Sequence, residues 1–277
     1  MLLGAVSNII LDPVFIFVLD LGVKGAAIAT VLSQLASCVY VLFFLLGKRP
    51  LVRITFGGYQ KELMARVLVL GLITASDSGL IIIMNMLIRH YGSYEMGDVL
   101  LTCNTIVQSF MLMITMPLGG ITGGTQTILG YNYGAGRPDR IRKAQKHIIG
   151  LGMVFTAVMF VIAMTLSAQF AEIFTNDRFF IETSVRAIRI SVLAIVPLAI
   201  QYEVVDGFTG MGAAALAISQ SMFRKAVYLA AMLILPALAG IENVFYAEPA
   251  ADVIASAVAV GVYFVFSGRV LGDGKRF

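Results

Sequence analysis

The sequence predicts an all-α integral membrane protein of about eight transmembrane helices, on three grounds. Of 277 residues, 59% are hydrophobic and only 13% are charged, whereas soluble domains carry about 25% charged residues. Mean hydropathy is +0.90. The apolar residues also gather into runs of roughly 20, the length of helix that crosses about 30 Å of hydrocarbon.

These runs fall at about 1–19, 23–46, 67–88, 99–122, 147–170, 187–207, 214–238 and 250–268. The first opens MLLGAVSNII, without the basic leading region of a cleavable signal, and enters the bilayer with almost no flank, as if shortened at its start. The second folds back as an alanine-rich run. Asp77 interrupts the third in GLITASDSGLIIIMN, and a glycine-rich stretch from Gly119 to Gly136 follows the fourth. Close helix packing and turn geometry account for those glycines. Only GFTGMG at 207–212 separates the sixth run from the seventh.

Orientation follows from the basic residues between runs. Segments 48–66, 137–146, 224–225 and 269–276 hold 15 of the 20 Lys and Arg; Lys24, Arg89, Arg178, Arg186 and Arg189 lie on the other side. The richer side is expected in the cytoplasm, with both termini. A net charge of +4 distributed in this way sets orientation and does not indicate nucleic-acid binding. Cys38 and Cys103 sit in apolar runs without CxxC spacing and read as packing residues.

Asn8 and Asp12 are four apart, so one helical face carries an amide and a carboxylate that can converge on one cation or proton. An aspartate at the centre of a spanning helix costs roughly 2.5–3.5 kcal/mol, which makes function the default reading of Asp12. Thr30 on the returning run can join them, or pack as a small residue. Pro13 removes one helical hydrogen bond and frees a nearby carbonyl. Asp77, Glu203 and Asp206 are weaker candidates for a substrate cavity. Asn85, Asn104 and Gln108 read either as cavity lining or as groups that bond helix to helix. GYNYGAG lacks the ending of a nucleotide-binding loop.

NIILDP followed by GAAIATVLSQ resembles the multidrug and toxic compound extrusion (MATE) family of cation-coupled antiporters, and GYNYGAGRPDRIRKA at 130–144 looks like the loop after that family's eighth span. RKAVYLAAMLILP and EPAADVIA fall where its eleventh and twelfth spans would be. The resemblance implies a partial twelve-helix, two-lobe bundle. Residues 1–46 would be the last two helices of the amino-terminal lobe, 47–66 a cytoplasmic linker between lobes, and 67–277 the six-helix carboxy-terminal lobe. The first four family helices would lie outside this chain, which is expected to be inactive without them.

By the same resemblance, Asn8, Asp12 and Thr30 match residues that bind a proton or sodium ion, with no other cofactor. Substrates would be small organic compounds, often cationic and aromatic, exported by alternating access from a multi-pass protein of the bacterial inner membrane. A lipid-linked oligosaccharide flippase and a non-transporting membrane interaction protein are the alternatives. An intramembrane prenyltransferase, which needs clustered carboxylates for metal and diphosphate, has only Asp12 and Asp20 near each other and is not expected. No enzymatic activity is expected.

Overall fold

The computed structural model describes residues 2–47, 60–92 and 94–272, and among them there is no strand. Most of the expected linker, residues 48–59, lies outside the described residues. The chain divides into two units, Met1–Ala65 and Arg66–Phe277.

The first unit is a helical hairpin. Helix α1 runs Leu2–Pro13 and continues into a π-helical turn, Val14–Val18. Pro13 has no N–H to offer the carbonyl of Ile9, so the helical ladder loses a rung there. The chain then widens, and the Leu19 amide donates to the Val14 carbonyl at 2.9 Å. Two residues with positive φ, Asp20 and Gly22, both at 51°, reverse the direction. Helix α2, Gly22–Leu46, returns along α1. Their backbones meet at Gly25, where an added Cβ would stand 2.5 Å from the Phe15 carbonyl oxygen.

The second unit holds the longer helices, although α3, Lys61–Tyr91, begins in the region read as linker. It is followed by α4, Tyr94–Gly134, and α5, Pro138–Glu172. Next come α6, Arg178–Ser191, and α7, Ile195–Gly210, joined through a 3-10 turn at Val192–Ala194. The unit ends with α8, Ala214–Ala239, a 3-10 segment at Ile241–Tyr246, and α9, Ala247–Gly272. Among the described residues six helical stretches are long and apolar enough to cross a membrane, and Leu3–Val18 is a shorter apolar one. All eight expected runs are helical.

Three boundaries differ from expectation. Helix α4 has 41 residues and carries the glycines from Gly119 to Gly134 inside it. The loop expected over 130–144 shrinks to a turn at 135–137, with Gly136 at φ 64°, before Pro138 starts α5 in the position where proline is preferred. Of these glycines, Gly130 is the one that close backbone contact requires, because α4 presses there against α7. A Cβ on Gly130 would be 2.8 Å from the Gly210 carbonyl oxygen, and one on Gly210 would be 2.8 Å from that of Gln126. Helix α6 starts nine residues earlier than the apolar run at 187, capped by Asp177, whose carboxylate accepts from the Phe179 amide at 2.8 Å.

Packing in this unit is organised along α4. Ile106, Phe110 and Ile114 are buried with Ile188, Ile195 and Met232, and Phe110 meets Phe170 edge to face at 5.0 Å between centroids. Further along, Leu129 packs with Ile141, Phe208 and Ala259. On α5, Leu151, Val154, Val158 and Val161 form an exposed stripe. Such a stripe would be a liability in water and is ordinary against lipid.

The backbone crossing sets a testable limit. Gly210→Leu should destabilise the protein by about 1–3 kcal/mol through overpacking. Gly134→Ala, where an added Cβ meets nothing within 4 Å, should not. Thermal unfolding in detergent compares the two.

Candidate functional site

In the first unit the i, i+4 spacing does what helical geometry demands. Asn8 Nδ2 donates to Asp12 Oδ1 at 3.1 Å, and both side chains are half-buried. Beside them Pro13 offers no N–H to the carbonyl of Ile9, the acceptor four residues back. Thr30 is exposed within this unit, and its hydroxyl donates to the Ala26 carbonyl at 2.9 Å. Asn8 and Asp12 are thus brought together, while Thr30 bonds its own helix.

In the second unit Asp77, Gly119, Gly123, Gln201, Tyr202, Val205, Asp206, Ser221, Arg224 and Lys225 line a cavity of about 340 Å³. Asp206, one of the expected acids, accepts from Thr122 Oγ1 at 2.5 Å and from Gln126 Nε2 at 2.8 Å, both on α4. Asp77, another, faces the ammonium of Lys225 at 2.9 Å, and the same ammonium donates to Ser76 Oγ at 2.9 Å. The neighbouring Arg224 turns to α9. Its Nη2 and Nε reach Asp252 Oδ1 at 2.7 and 2.8 Å, and Glu248 lies 3.9 Å away. Asp252 is fully buried.

The remaining candidates sit elsewhere. Asn104 Nδ2 donates to Asn85 Oδ1 at 2.9 Å, tying α4 to α3, and Gln108 borders a closed space with Met84, Tyr228 and Glu248. Glu203 is fully buried, is not among the residues lining the cavity, and has no hydrogen-bond partner for either carboxylate oxygen among the described residues. Its Oε1 and Gln145 Nε2 face one notch, 3.6 and 2.6 Å from where a Cβ on Gly207 would be. Tyr263 donates to Gln145 Oε1 at 2.9 Å.

Arg224 and Lys225, counted above among the cytoplasmic charges, are instead paired inside the bundle. Without them the basic residues still divide 13 to 5 in the same sense. Their depth was readable, because Arg224 stands ten residues into α8, about 15 Å from its start at 1.5 Å per residue. Their partners were not, since Asp252 is 28 positions away and Ser76 is 149. Thr122 and Gln126 looked like ordinary members of a glycine-rich run.

A family model described as MatE matches residues 70–227. The multidrug export protein MepA of Staphylococcus aureus (strain N315) is 25% identical over 287 residues, which cover 99% of this chain and 60% of that protein. MepA of Staphylococcus saprophyticus is 24% identical over 289 residues with the same coverage. The chain therefore spans 60% of the length of these curated relatives. A solved outward-facing conformation of a multidrug resistance MATE family transporter of the MOP superfamily aligns with TM-score 0.78 at 22% identity, over 99% of this chain and 62% of that one. A MOP superfamily transporter from Pyrococcus furiosus aligns with TM-score 0.80 at 22% identity and the same coverage. At such identity the structural likeness establishes the fold.

The Arg224 pair predicts an asymmetric mutational response. Arg224→Ala strands Asp252 and should cost about 3–5 kcal/mol, whereas replacing both residues with apolar side chains of similar volume should recover much of the loss. Thermal unfolding of the single and double variants measures both effects.

Proposed function

The chain belongs to the MatE family, and on that premise we propose that its helices serve a cation-coupled antiporter that exports small organic compounds, often cationic and aromatic, across a bacterial inner membrane. In this reading residues 1–46 close the amino-terminal lobe, 47–66 connect the lobes, and 67–277 form the carboxy-terminal lobe. The observation that carries it is the Asn8–Asp12 hydrogen bond of 3.1 Å beside the proline-disrupted turn. A carboxylate, an amide oxygen and a carbonyl denied its usual helical donor by Pro13 gather there within about one helical turn.

Asp12 takes up either a proton or a sodium ion. A proton neutralises the carboxylate, while sodium leaves it charged and draws further oxygens, from Asn8, the backbone, or Thr30 once its hydroxyl turns from Ala26. Cation binding and substrate release are then linked equilibria of two conformations. The whole transporter is longer than this chain, in keeping with the extra length of the relatives, and the activity belongs to that whole. The carboxy-terminal cavity has Asp206, and Asp77 paired with Lys225, on its wall, and Asp206 is the acid it offers to a cationic substrate.

Cells expressing the natural gene with Asp12→Asn should lose efflux of a cationic dye at normal protein levels, and Asn8→Ala should weaken it. Full efflux by the Asp12→Asn variant would remove the reading. In proteoliposomes, whichever imposed gradient, sodium or proton, drives dye movement identifies the coupling ion.

A further inference from the structure

We propose that Lys225 occupies, as a tethered ammonium, the cation position that Ser76 and Asp77 offer to the cavity of the second unit, and so keeps free inorganic cations out of it. The inference goes beyond the antiport reading, which places ion coupling at Asp12, and does not rest on it.

The lysine nitrogen stands 2.9 Å from Ser76 Oγ and 2.9 Å from Asp77 Oδ2. A hydroxyl and a carboxylate oxygen on consecutive residues are the oxygen ligands a hard cation selects. The ammonium therefore takes the contacts that such an ion would need. A role confined to neutralising buried charge does not explain the choice of partner. Five carboxyl groups, those of Asp77, Glu203, Asp206, Glu248 and Asp252, belong to this region, against two cations. Arg224 is committed to Asp252 and Glu248. Asp206 is held by the neutral donors Thr122 and Gln126. Of the two acids on the cavity wall, Asp77 is thus the one matched with a cation from the same wall. It is also the more open partner, with its side chain 58% exposed against 11% for Lys225.

Tethering explains why the exclusion is effective. A group held on the same protein competes at an effective concentration of about millimolar or more, and lysine presents a compact charge with three donors on a flexible stem. A free monovalent ion at Asp77 must displace that ammonium from both the carboxylate and the Ser76 hydroxyl. Removing the lysine charge should open the Asp77 carboxylate to the ion.

Sodium is the probe, and Asp12→Asn is the background, so that the first unit's candidate site contributes nothing and failure of one reading is separable from failure of the other. Purified protein from the natural gene is tested for binding of radioactive sodium. Adding Lys225→Gln to the background should raise saturable sodium binding about tenfold or more. Adding Asp77→Asn to that variant should abolish the gain, and Lys225→Arg should bind no more than the background. A folded Lys225→Gln variant without the gain, or equal binding by the background protein, overturns the proposal. A second measurement needs no substitution at Lys225. A carbodiimide, consumed as its urea, should condense the Lys225 amine with the Asp77 carboxyl to an amide in the native protein, read as a cross-linked peptide by mass spectrometry. Its yield should be unchanged by high sodium, and a sodium-dependent fall overturns the proposal.

Discussion

Hydrocarbon offers no water to a polar group, so a polar group in a spanning helix is costly unless it finds a partner within the protein. The architecture of the second unit follows from this demand. Arg224 is bound to Asp252 across α8 and α9, Lys225 to Asp77 and Ser76 across α8 and α3, and Asp206 to Thr122 and Gln126 across α7 and α4. Two of these links join helices distant in sequence, and the third joins the consecutive pair α8 and α9. Together with Asn85 and Asn104, they fix which helix faces stand opposite one another, where apolar side chains alone would pack acceptably in several registers. Many isolated hydroxyls escape the demand by bonding their own helix, as Thr30, Thr105, Thr165 and Thr209 do with carbonyls four residues back.

The two units use polar residues differently. The hairpin of α1 and α2 concentrates its chemistry in one turn, where Asn8, Asp12 and Pro13 lie within six positions. The second unit assembles its cavity from α3, α4, α7 and α8. The first arrangement is local and depends on helical spacing. The second exists only once distant helices have docked, and it is therefore sensitive to anything that alters their packing.

That contrast explains how much was legible in advance. The helices follow from apolar runs, six of them long and apolar enough among the described residues to cross a membrane, because the bilayer imposes both length and composition. The Asn8–Asp12 contact follows from a spacing of four. Thr30 does not join it, because a threonine hydroxyl in a helix can reach its own backbone, a competing bond that spacing does not reveal. The extension of α4 to Gly134 was hidden because glycine serves turns and close crossings equally well; only the partner, α7, decides. Arg224 and Lys225 looked like interfacial charges since an orientation count treats every basic residue as lying at a helix end. Their acids lie on other helices, and no local pattern encodes that distance.

The crossing at Gly130 and Gly210 has a mechanical consequence. With peptide groups of α4 and α7 in direct contact, neither helix can slide along its axis without driving a carbonyl into its neighbour's backbone. The two helices are therefore locked to one another over the stretch around Gly130 and Gly210. Bending then concentrates where the helical ladder is already interrupted, at the 3-10 turn Val192–Ala194 between α6 and α7. That joint separates α6, which packs through Ala187 and Ile188 against α4, from the wall that bears Asp206.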